Sequence, residues 1–386
     1  MKIDLKEIDY NRNQRTIEMK LRFTERVDKL KLEYLLNNCD KYEIWKSDET
    51  RPKEVFLTAY RKYLKGIDEN GEIEVVYKQH NGDGRYFPKH MGLTLMPRRV
   101  RHTIRNQHDI DLDIVNCHPV IALKYSKGFG LEAPCLQRYV DNRDDVLSQI
   151  VEECKLDDPK TYILKLLNGG VHNEVGCKYL DDLNEEFELL RDTICETYPN
   201  YVEGIKKLKK DSTWNIKGFV LHHSLEAMEN ELLMTMVEYF EFNKIKITSL
   251  AYDELTIENK KENLVNLDKY CSEIAEKIEK VHNIEIKLKR KIMNEGFELP
   301  DTIEVRKRSP ASLLRERLLH QSTSICSCQL DHIRMYKLID YLFWTFQVKT
   351  AEDLKFTNIC LFVKNKASDG CFEEIMTRLA KKYSFT

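Results

Sequence analysis

Leu30, Leu32, Leu35 and Leu36 fall at helical spacing within residues 14–65, a mixed-charge stretch that predicts amphipathic helices. A Gly-containing turn at Asp68–Gly71 leads into a strand-like run, Ile73–Tyr77. Ile110–Val115 alternates Asp with aliphatic residues at the period of a strand, and Pro119–Tyr125 opens a helix with Pro near its first turn. Residues 136–200 read as helical, interrupted at Asn168-Gly169-Gly170. His222–Phe242 predicts a long helix, with Leu225, Met228, Leu232, Met236 and Tyr239 on one face. Short strands near Ile245–Leu250 and Leu255–Ile257 flank Ala251-Tyr252-Asp253-Glu254, a hairpin tip. A charged helix over 262–280 follows, then a strand-like alternation over Ile284–Ile292. After Pro300 the chain turns basic and Ser- and Cys-containing, so a boundary falls near residue 302. The pattern divides the chain into an N-terminal helical region (1–70), a mixed core (71–302) and a mainly helical C-terminal region (303–386) with an apolar stretch at Leu338–Phe346.

The 386 residues are 42% hydrophobic and 33% charged, as in an ordinary globular protein. The longest apolar patch, Tyr341–Phe346, falls far short of the ~20 residues of a membrane helix. The opening MKIDLKEIDYNRNQ lacks the apolar stretch of a signal peptide. A soluble intracellular protein with no membrane partner is expected. The eleven cysteines have no regular spacing and read as reduced thiols, and Cys326, Cys328 and His332 make a weak zinc-like cluster. A net charge of -2 leaves room for local basic patches.

Two basic segments and four acids carry the candidate chemistry. Asp111 and Asp113 sit two apart in a strand and so share a face. Asp253 sits at the tip of a separate hairpin, followed by Glu254. Carboxylates on two neighbouring strands suit a two-metal phosphoryl-transfer site, because Mg²⁺ takes one or two carboxylates and fills its shell with water and phosphate oxygens. Spacing alone leaves Asp111 and Asp113 as alternatives for the first ligand. Between Lys78 and Arg105 lie Lys78, Arg85, Lys89, Arg98, Arg99, Arg101 and Arg105 against one acid, Asp83, with Tyr77, Tyr86 and Phe87 interleaved. Arginines that meet phosphate, mixed with rings that stack on bases, suit a nucleic-acid groove. On the helix before Asn168, Lys165 lies one turn from Thr161 and Asn168, where a lysine can hold a triphosphate. His222, His223, Glu226 and Glu229 share the long helix, which is expected to pack the sheet and touch template.

In order, these residues resemble motifs of family A DNA polymerases and single-subunit phage-type RNA polymerases. Asp113-Ile114-Val115-Asn116-Cys117-His118-Pro119 resembles motif A, Lys165-Leu166-Leu167-Asn168-Gly169-Gly170 motif B, and Tyr252-Asp253-Glu254-Leu255 motif C. Gly84-Arg85-Tyr86 resembles the Gly-Arg element before motif A. The match is most similar to the transposon–virophage branch, found in virophages and mobile elements and often fused to a helicase or primase module. It covers about residues 75–300.

The resemblance implies an α+β right-hand polymerase with palm, fingers and a small thumb on an antiparallel palm sheet, the N-terminal region serving as thumb or template clamp. It implies a DNA polymerase acting in replication of a virus or mobile element, at work in host cytoplasm, nucleus or a viral replication site. Primase or RNA polymerase activity on the same fold is the alternative. Partners would be primer–template nucleic acid, nucleoside triphosphates, and a helicase or primase. Asp113 and Asp253 would hold two Mg²⁺, with Mn²⁺ as a substitute, and this register selects Asp113 over Asp111. Lys165 would bind the incoming polyphosphate, beside Asn168, Gly169, Gly170, Asn116 and His118 around the nucleotide. Arg85, with Lys78, Arg98, Arg99 and Arg101, would contact nucleic acid; Glu254, Tyr252 and Asp111 would support the site. Four positions depart from the family pattern: His118 stands for a Glu, Gly169 for an aromatic residue, Tyr252 for a His, and Thr161 for an Arg that neighbouring Lys160 can replace. The first two leave the choice of sugar open. Rival readings are a two-metal nuclease or transposase using Asp113, Asp253 and Glu258, and a non-catalytic nucleic-acid-binding replication protein.

Overall fold

A computed structural model describes residues 21–303 except 46–52, 81–82, 106–107, 174–175, 210–213 and 301–302. In chain order the elements are β1 (Leu21–Arg26), α1 (Lys29–Asn37), α2 (Cys39–Tyr42), α3 (Lys53–Gly66), β2 (Glu72–His80), β3 (Asp83–Pro88), α4 (Arg98–Arg105), β4 (Asp109–Ile114), α5 (Cys117–Phe129), α6 (Pro134–Asp141) and α7 (Arg143–Cys154). They continue with α8 (Pro159–Leu167), α9 (Lys178–Thr197), α10 (Pro199–Leu208), α11 (Ile216–Phe242), β5 (Ile247–Ala251), β6 (Glu254–Glu258), α12 (Lys261–Val265), α13 (Leu267–His282) and β7 (Leu288–Lys291). Two antiparallel sheets result, β1-β2-β3 and β5-β6-β4-β7, within a mixed α/β architecture rich in helices.

Local chemistry sets many of the boundaries. Asp28 caps α1 by accepting from the Lys31 N–H at 3.0 Å, and Asp158 does the same for α8 through Thr161, also at 3.0 Å. Proline occupies the first turn of α6, α8 and α10, where its missing N–H costs nothing. β4 lies between β6 and β7, so Ile110, Leu112 and Ile114 are buried, as are the acids Asp109 and Asp111 on the opposite face. α11 runs past both sheets and packs on α5, α9, α10 and α13, which explains why apolar residues occur almost all round it.

Three expectations from the pattern differ from the structure. The N-terminal region is not purely helical: Phe23 and Glu25 point inward from β1, which pairs with β2 from Leu21↔Tyr77 to Arg26↔Glu72, so the division at residue 70 cuts a sheet. The basic stretch Lys78–Arg105 is not one open groove segment but runs through β2, β3 and α4. β7 is shorter than its alternation suggested; upstream of it Lys287 only accepts one hydrogen bond from the Val115 N–H, at 2.8 Å. The chain divides after Ile303 into a second unit, Glu304–Thr386. The C-terminal helical stretch and the Cys326, Cys328, His332 cluster lie outside the described residues. Among the described residues seven cysteines, from Cys39 to Cys271, are free thiols. Among the same residues no helix is long and apolar enough to cross a membrane.

One buried polar cluster ties the first sheet to the second. Glu25 is fully buried and accepts from Tyr63 Oη at 2.6 Å, Tyr77 Oη at 2.7 Å and the Leu93 N–H at 3.1 Å. Thr94 meets the Tyr77 hydroxyl and donates to the Leu250 carbonyl of β5. Burial pushes the Glu25 carboxyl above its ordinary value, while the tyrosines and the Arg105 charge oppose the rise. Glu25→Ala leaves the Tyr63 hydroxyl and the Leu93 amide without an acceptor in the core, and Tyr77 with only its longer contact to Thr94. A loss of about 3 kcal/mol in unfolding free energy is expected from chemical denaturation, with a smaller loss for Glu25→Gln.

Candidate active site

The β5–β6 hairpin turns at Tyr252 and Asp253, and Tyr252 takes a left-handed φ of 62°. That turn carries Asp253 to the end of β4, where the Ile114 N–H donates to the Asp253 carbonyl at 3.2 Å. Asp113 faces Glu254 directly across the β4–β6 ladder. Three carboxylates, Asp113, Asp253 and Glu254, therefore crowd one end of the sheet. Burial, followed by the charges of Asp113, Glu229 and Glu254, pushes the Asp253 carboxyl up to about 7.

Glu254 is neutralised from two sides. Arg101 of α4 donates to Oε1 at 2.9 Å and Lys291 of β7 to Oε2 at 2.6 Å. Burial alone would raise the Glu254 carboxyl, but these two cations hold it below its ordinary value. Lys291 also reaches Asp113 Oδ1 at 3.2 Å. Asp111, two residues back on the same face, is buried with one carboxylate oxygen lacking a hydrogen-bond partner. Burial and the Glu254 charge push it up to about 7. Asp111 is buried within the sheet, and it is the Asp113 charge that acts on Asp253.

Arg85 of β3 organises a second layer. Its Nε and Nη2 grip Glu229 at 2.5 and 2.8 Å, its Nη1 meets Glu226 at 2.6 Å, and its guanidinium lies 5.0 Å from the Tyr252 ring centre. His118 Nε2 lies 2.9 Å from Glu229 and 3.3 Å from Arg85 Nη2. His222 lies 3.3 Å from Glu226, and its Nδ1 meets Asn168 Oδ1 at 3.0 Å. A chain of polar contacts thus runs from the hairpin tip through α11 to the end of α8. Burial would raise both glutamates, but Glu226 is held low by His222 and Arg85, and Glu229 by Arg85 and His118.

The end of α8 is shaped by close approach to α11. Gly169 has a φ of 73°, and a side chain there would strike Asn215 Oδ1 and the Gly218 backbone. Asn215 Nδ2 donates to the Asn168 carbonyl at 2.9 Å, and buried Arg191 donates to the Leu166 carbonyl at 2.7 Å, so both cap the helix C-terminus. Gly169 is therefore a packing residue, where the resemblance placed it along the nucleotide. Gly170 leaves room for the Lys165 side chain, which lies against it with its ammonium 5.5 Å from the Tyr162 ring centre. Lys160, at the start of α8, feels Asp113 as well as Arg143, Lys291 and Arg98. Burial and those three cations lower the Lys160 ammonium below its ordinary value.

The basic residues expected in a nucleic-acid groove divide. Arg85 and Arg101 are engaged by buried carboxylates inside the site, where the sequence suggested phosphate contacts. Arg98 pairs with Glu295 at 3.3 Å across an exposed surface, and Arg99 lies 4.2 Å from the Phe297 ring centre. Lys78 is half-buried on β2, opposite Phe87. Asn116, at a φ of 55°, precedes α5 and accepts from the Val120 N–H. Glu258 pairs with Asp109, four residues along β6 from Glu254 and so about 13 Å away. The structure does not assemble the triad of Asp113, Asp253 and Glu258. Sequence reasoning missed Lys291 and Arg191; alternate lysines at 287, 289 and 291 were the one available signal for the former.

Among the described residues, no group of three or more His, Cys, Asp or Glu side chains is arranged to hold a metal ion by itself. Asp113 and Asp253 offer something narrower: hard carboxylate oxygens close enough to repel one another, a donor type that a divalent cation would suit. In chemical terms the site is a carboxylate cluster at one end of the four-stranded sheet, with Lys160 of α8 near enough to feel Asp113, in a mixed α/β protein. No protein-family model matches the sequence. A Sputnik virophage protein named "Putative helicase V13" is 28% identical over 267 residues, 62% of this chain and 34% of that protein. The match thus spans about a third of the relative's length. Among solved structures, the POL domain of Pol1 from M. smegmatis, in complex with DNA primer-template and dNTP, aligns at 10% identity and a TM-score of 0.43, over 69% of this chain and 67% of that one.

Asp253 makes the site pH-sensitive. Its folded-state value of about 7 lies above that of an unfolded Asp, so folding retains a proton at intermediate pH and this stabilisation is lost as pH rises through 7. Asp253→Asn removes that loss. In chelator, the stability of the variant relative to wild type is expected to be on the order of 2 kcal/mol more favourable at pH 8.5 than at pH 5, read by thermal unfolding at both values.

Proposed function

We propose that this chain is a template-directed nucleotidyltransferase, a family A-like DNA polymerase acting in the replication of a virus or mobile element. The observation that carries the reading is the meeting of Asp113 and Asp253 at one end of the β4–β6 ladder, close enough that the Asp113 charge raises the Asp253 carboxyl. In this reading the four-stranded sheet is the palm and α8 belongs to the fingers. Asp113 and Asp253 would hold two Mg²⁺, or Mn²⁺ in their place, and the ions would supply Lewis-acid charge for nucleotidyl transfer. Glu254, fixed by Arg101 and Lys291, keeps the strand end in place. Lys165 and Lys160 receive the triphosphate, and Arg191 and Asn215 hold their helix by its C-terminus. His118, drawn to Glu229 and Arg85, borders the sugar. Primer–template nucleic acid and nucleoside triphosphates are the substrates.

The virophage relative supports the setting, since the motif resemblance points to the transposon–virophage branch. Its helicase name belongs to a protein about three times the length of the match. The separation of Glu258 from the acidic end speaks for synthesis over the nuclease reading.

The test is extension of a labelled DNA primer on a DNA template with Mg²⁺, run with deoxy- and with ribonucleotides. Wild type is expected to extend the primer, and Asp113→Ala and Asp253→Ala to show no extension above background. Lys165→Ala is expected to slow incorporation about 10²-fold, the scale of a lost electrostatic contact in the transition state. Full incorporation by Asp253→Ala, or none by wild type with either sugar, contradicts the proposal. Preferential use of ribonucleotides reassigns the product to RNA and the role to a primase or RNA polymerase.

A further inference from the structure

Lys291 ends β7 in register with Asp111 on the β4–β7 ladder. Its ammonium bridges Glu254 Oε2 at 2.6 Å and Asp113 Oδ1 at 3.2 Å, and its side chain is 24% exposed. A cation therefore already sits on an oxygen that the polymerase reading gives to metal. Burial alone would lower this ammonium, but Glu254, Asp113 and Asp111 raise it, so it stays charged whenever its neighbours are ionised.

The two cations on Glu254 are not equivalent. Arg101 binds Oε1 at 2.9 Å from α4 and touches neither Asp113 nor Asp253 in any hydrogen bond or ion pair of the site. Lys291 bridges two carboxylates at the end of a short strand. If Lys291 leaves, Glu254 keeps Arg101, and Asp113 passes to the incoming divalent ion, which takes over the charge that Lys291 had offset. Lys291 is thus the cation that can move at small cost. An ammonium and a divalent ion on the same Asp113 oxygen repel, so they compete for it. A triphosphate reverses the balance, because it brings its own bound ion and gives the displaced ammonium, and Lys160 whose field opposes it, a new anion.

We propose that Lys291 is a resident counter-ion that divalent metal must displace from Asp113, so that the site has low affinity for free metal and fills when metal arrives with a nucleoside triphosphate. The inference rests on the polymerase reading of Asp113 and Asp253. Lys291 acts as a positioning residue.

The test is Mn²⁺ binding to the full chain without nucleotide, counted by electron paramagnetic resonance, in wild type, Lys291→Met and Lys291→Arg. Lys291→Met is expected to bind Mn²⁺ about tenfold tighter or more, and Lys291→Arg to stay near wild type. Unchanged or weaker binding by Lys291→Met overturns the proposal. If Lys291→Met does not fold, wild type labelled with ¹⁵N-lysine decides: the Lys291 Nζ resonance is expected to shift on saturation with Mg²⁺, and an unmoved resonance overturns the proposal. Primer extension run in parallel separates the two claims. Extension with unchanged metal affinity sinks only the role of Lys291, and tighter metal binding with no extension by wild type sinks only the polymerase reading.

Discussion

Like charges forced together at the end of an antiparallel ladder are what the rest of this structure is built around. Pairing places Asp113 opposite Glu254, and the hairpin turn at Tyr252 brings Asp253 beside both. Repulsion of this kind, in a partly buried place, costs stability unless cations or protons offset it. The protein uses both devices. Glu254 is neutralised by Arg101 and Lys291, and Asp253 carries its proton to about 7. What remains is a cluster of hard carboxylate oxygens whose charges are only partly offset, and the proposed phosphoryl transfer would make use of it.

The surrounding elements fix that end of the sheet in place and link it to α8. Arg85 holds Glu229 and Glu226 of α11 while lying on the Tyr252 ring, so the hairpin tip is braced against the long helix. Through His222 the same network reaches Asn168, and Asn215, Gly169 and Gly218 let α8 and α11 meet backbone to backbone. A shift of α8 therefore changes hydrogen bonds within a few contacts of the acidic edge. The Glu25 cluster does the equivalent for the first sheet, carrying order from β1 through Tyr77 and Thr94 to β5.

Much of this was legible in the sequence, for reasons that are local. The strand 110–115 and the long helix after 222 follow from periodicity, and the hairpin tip at Tyr252-Asp253 from two short apolar runs around a polar break. The motif register chose Asp113 over Asp111, and the fold places Asp113 by Asp253 while burying Asp111. Non-local pairing was not legible. β1 carries only two inward residues, so its alternation is too brief to separate from helix, and it becomes a strand because β2 offers an edge. Arg85 and Arg101 read as groove residues because a sequence shows a basic run but not the glutamates, more than a hundred positions away, that meet it. The resemblance put Gly169 around the nucleotide, yet its close packing is set by Asn215 and Gly218 at the start of another helix.

Whether divalent ions sit between Asp113 and Asp253 when substrate is bound is the direct question. Anomalous diffraction from crystals of the full chain grown with Mn²⁺, a primer–template duplex and a non-hydrolysable nucleoside triphosphate answers it. Manganese peaks within coordination distance of both carboxylates and of the triphosphate are the predicted result. Manganese bound elsewhere, with Asp113 and Asp253 making no contact to it, contradicts the assignment of this site.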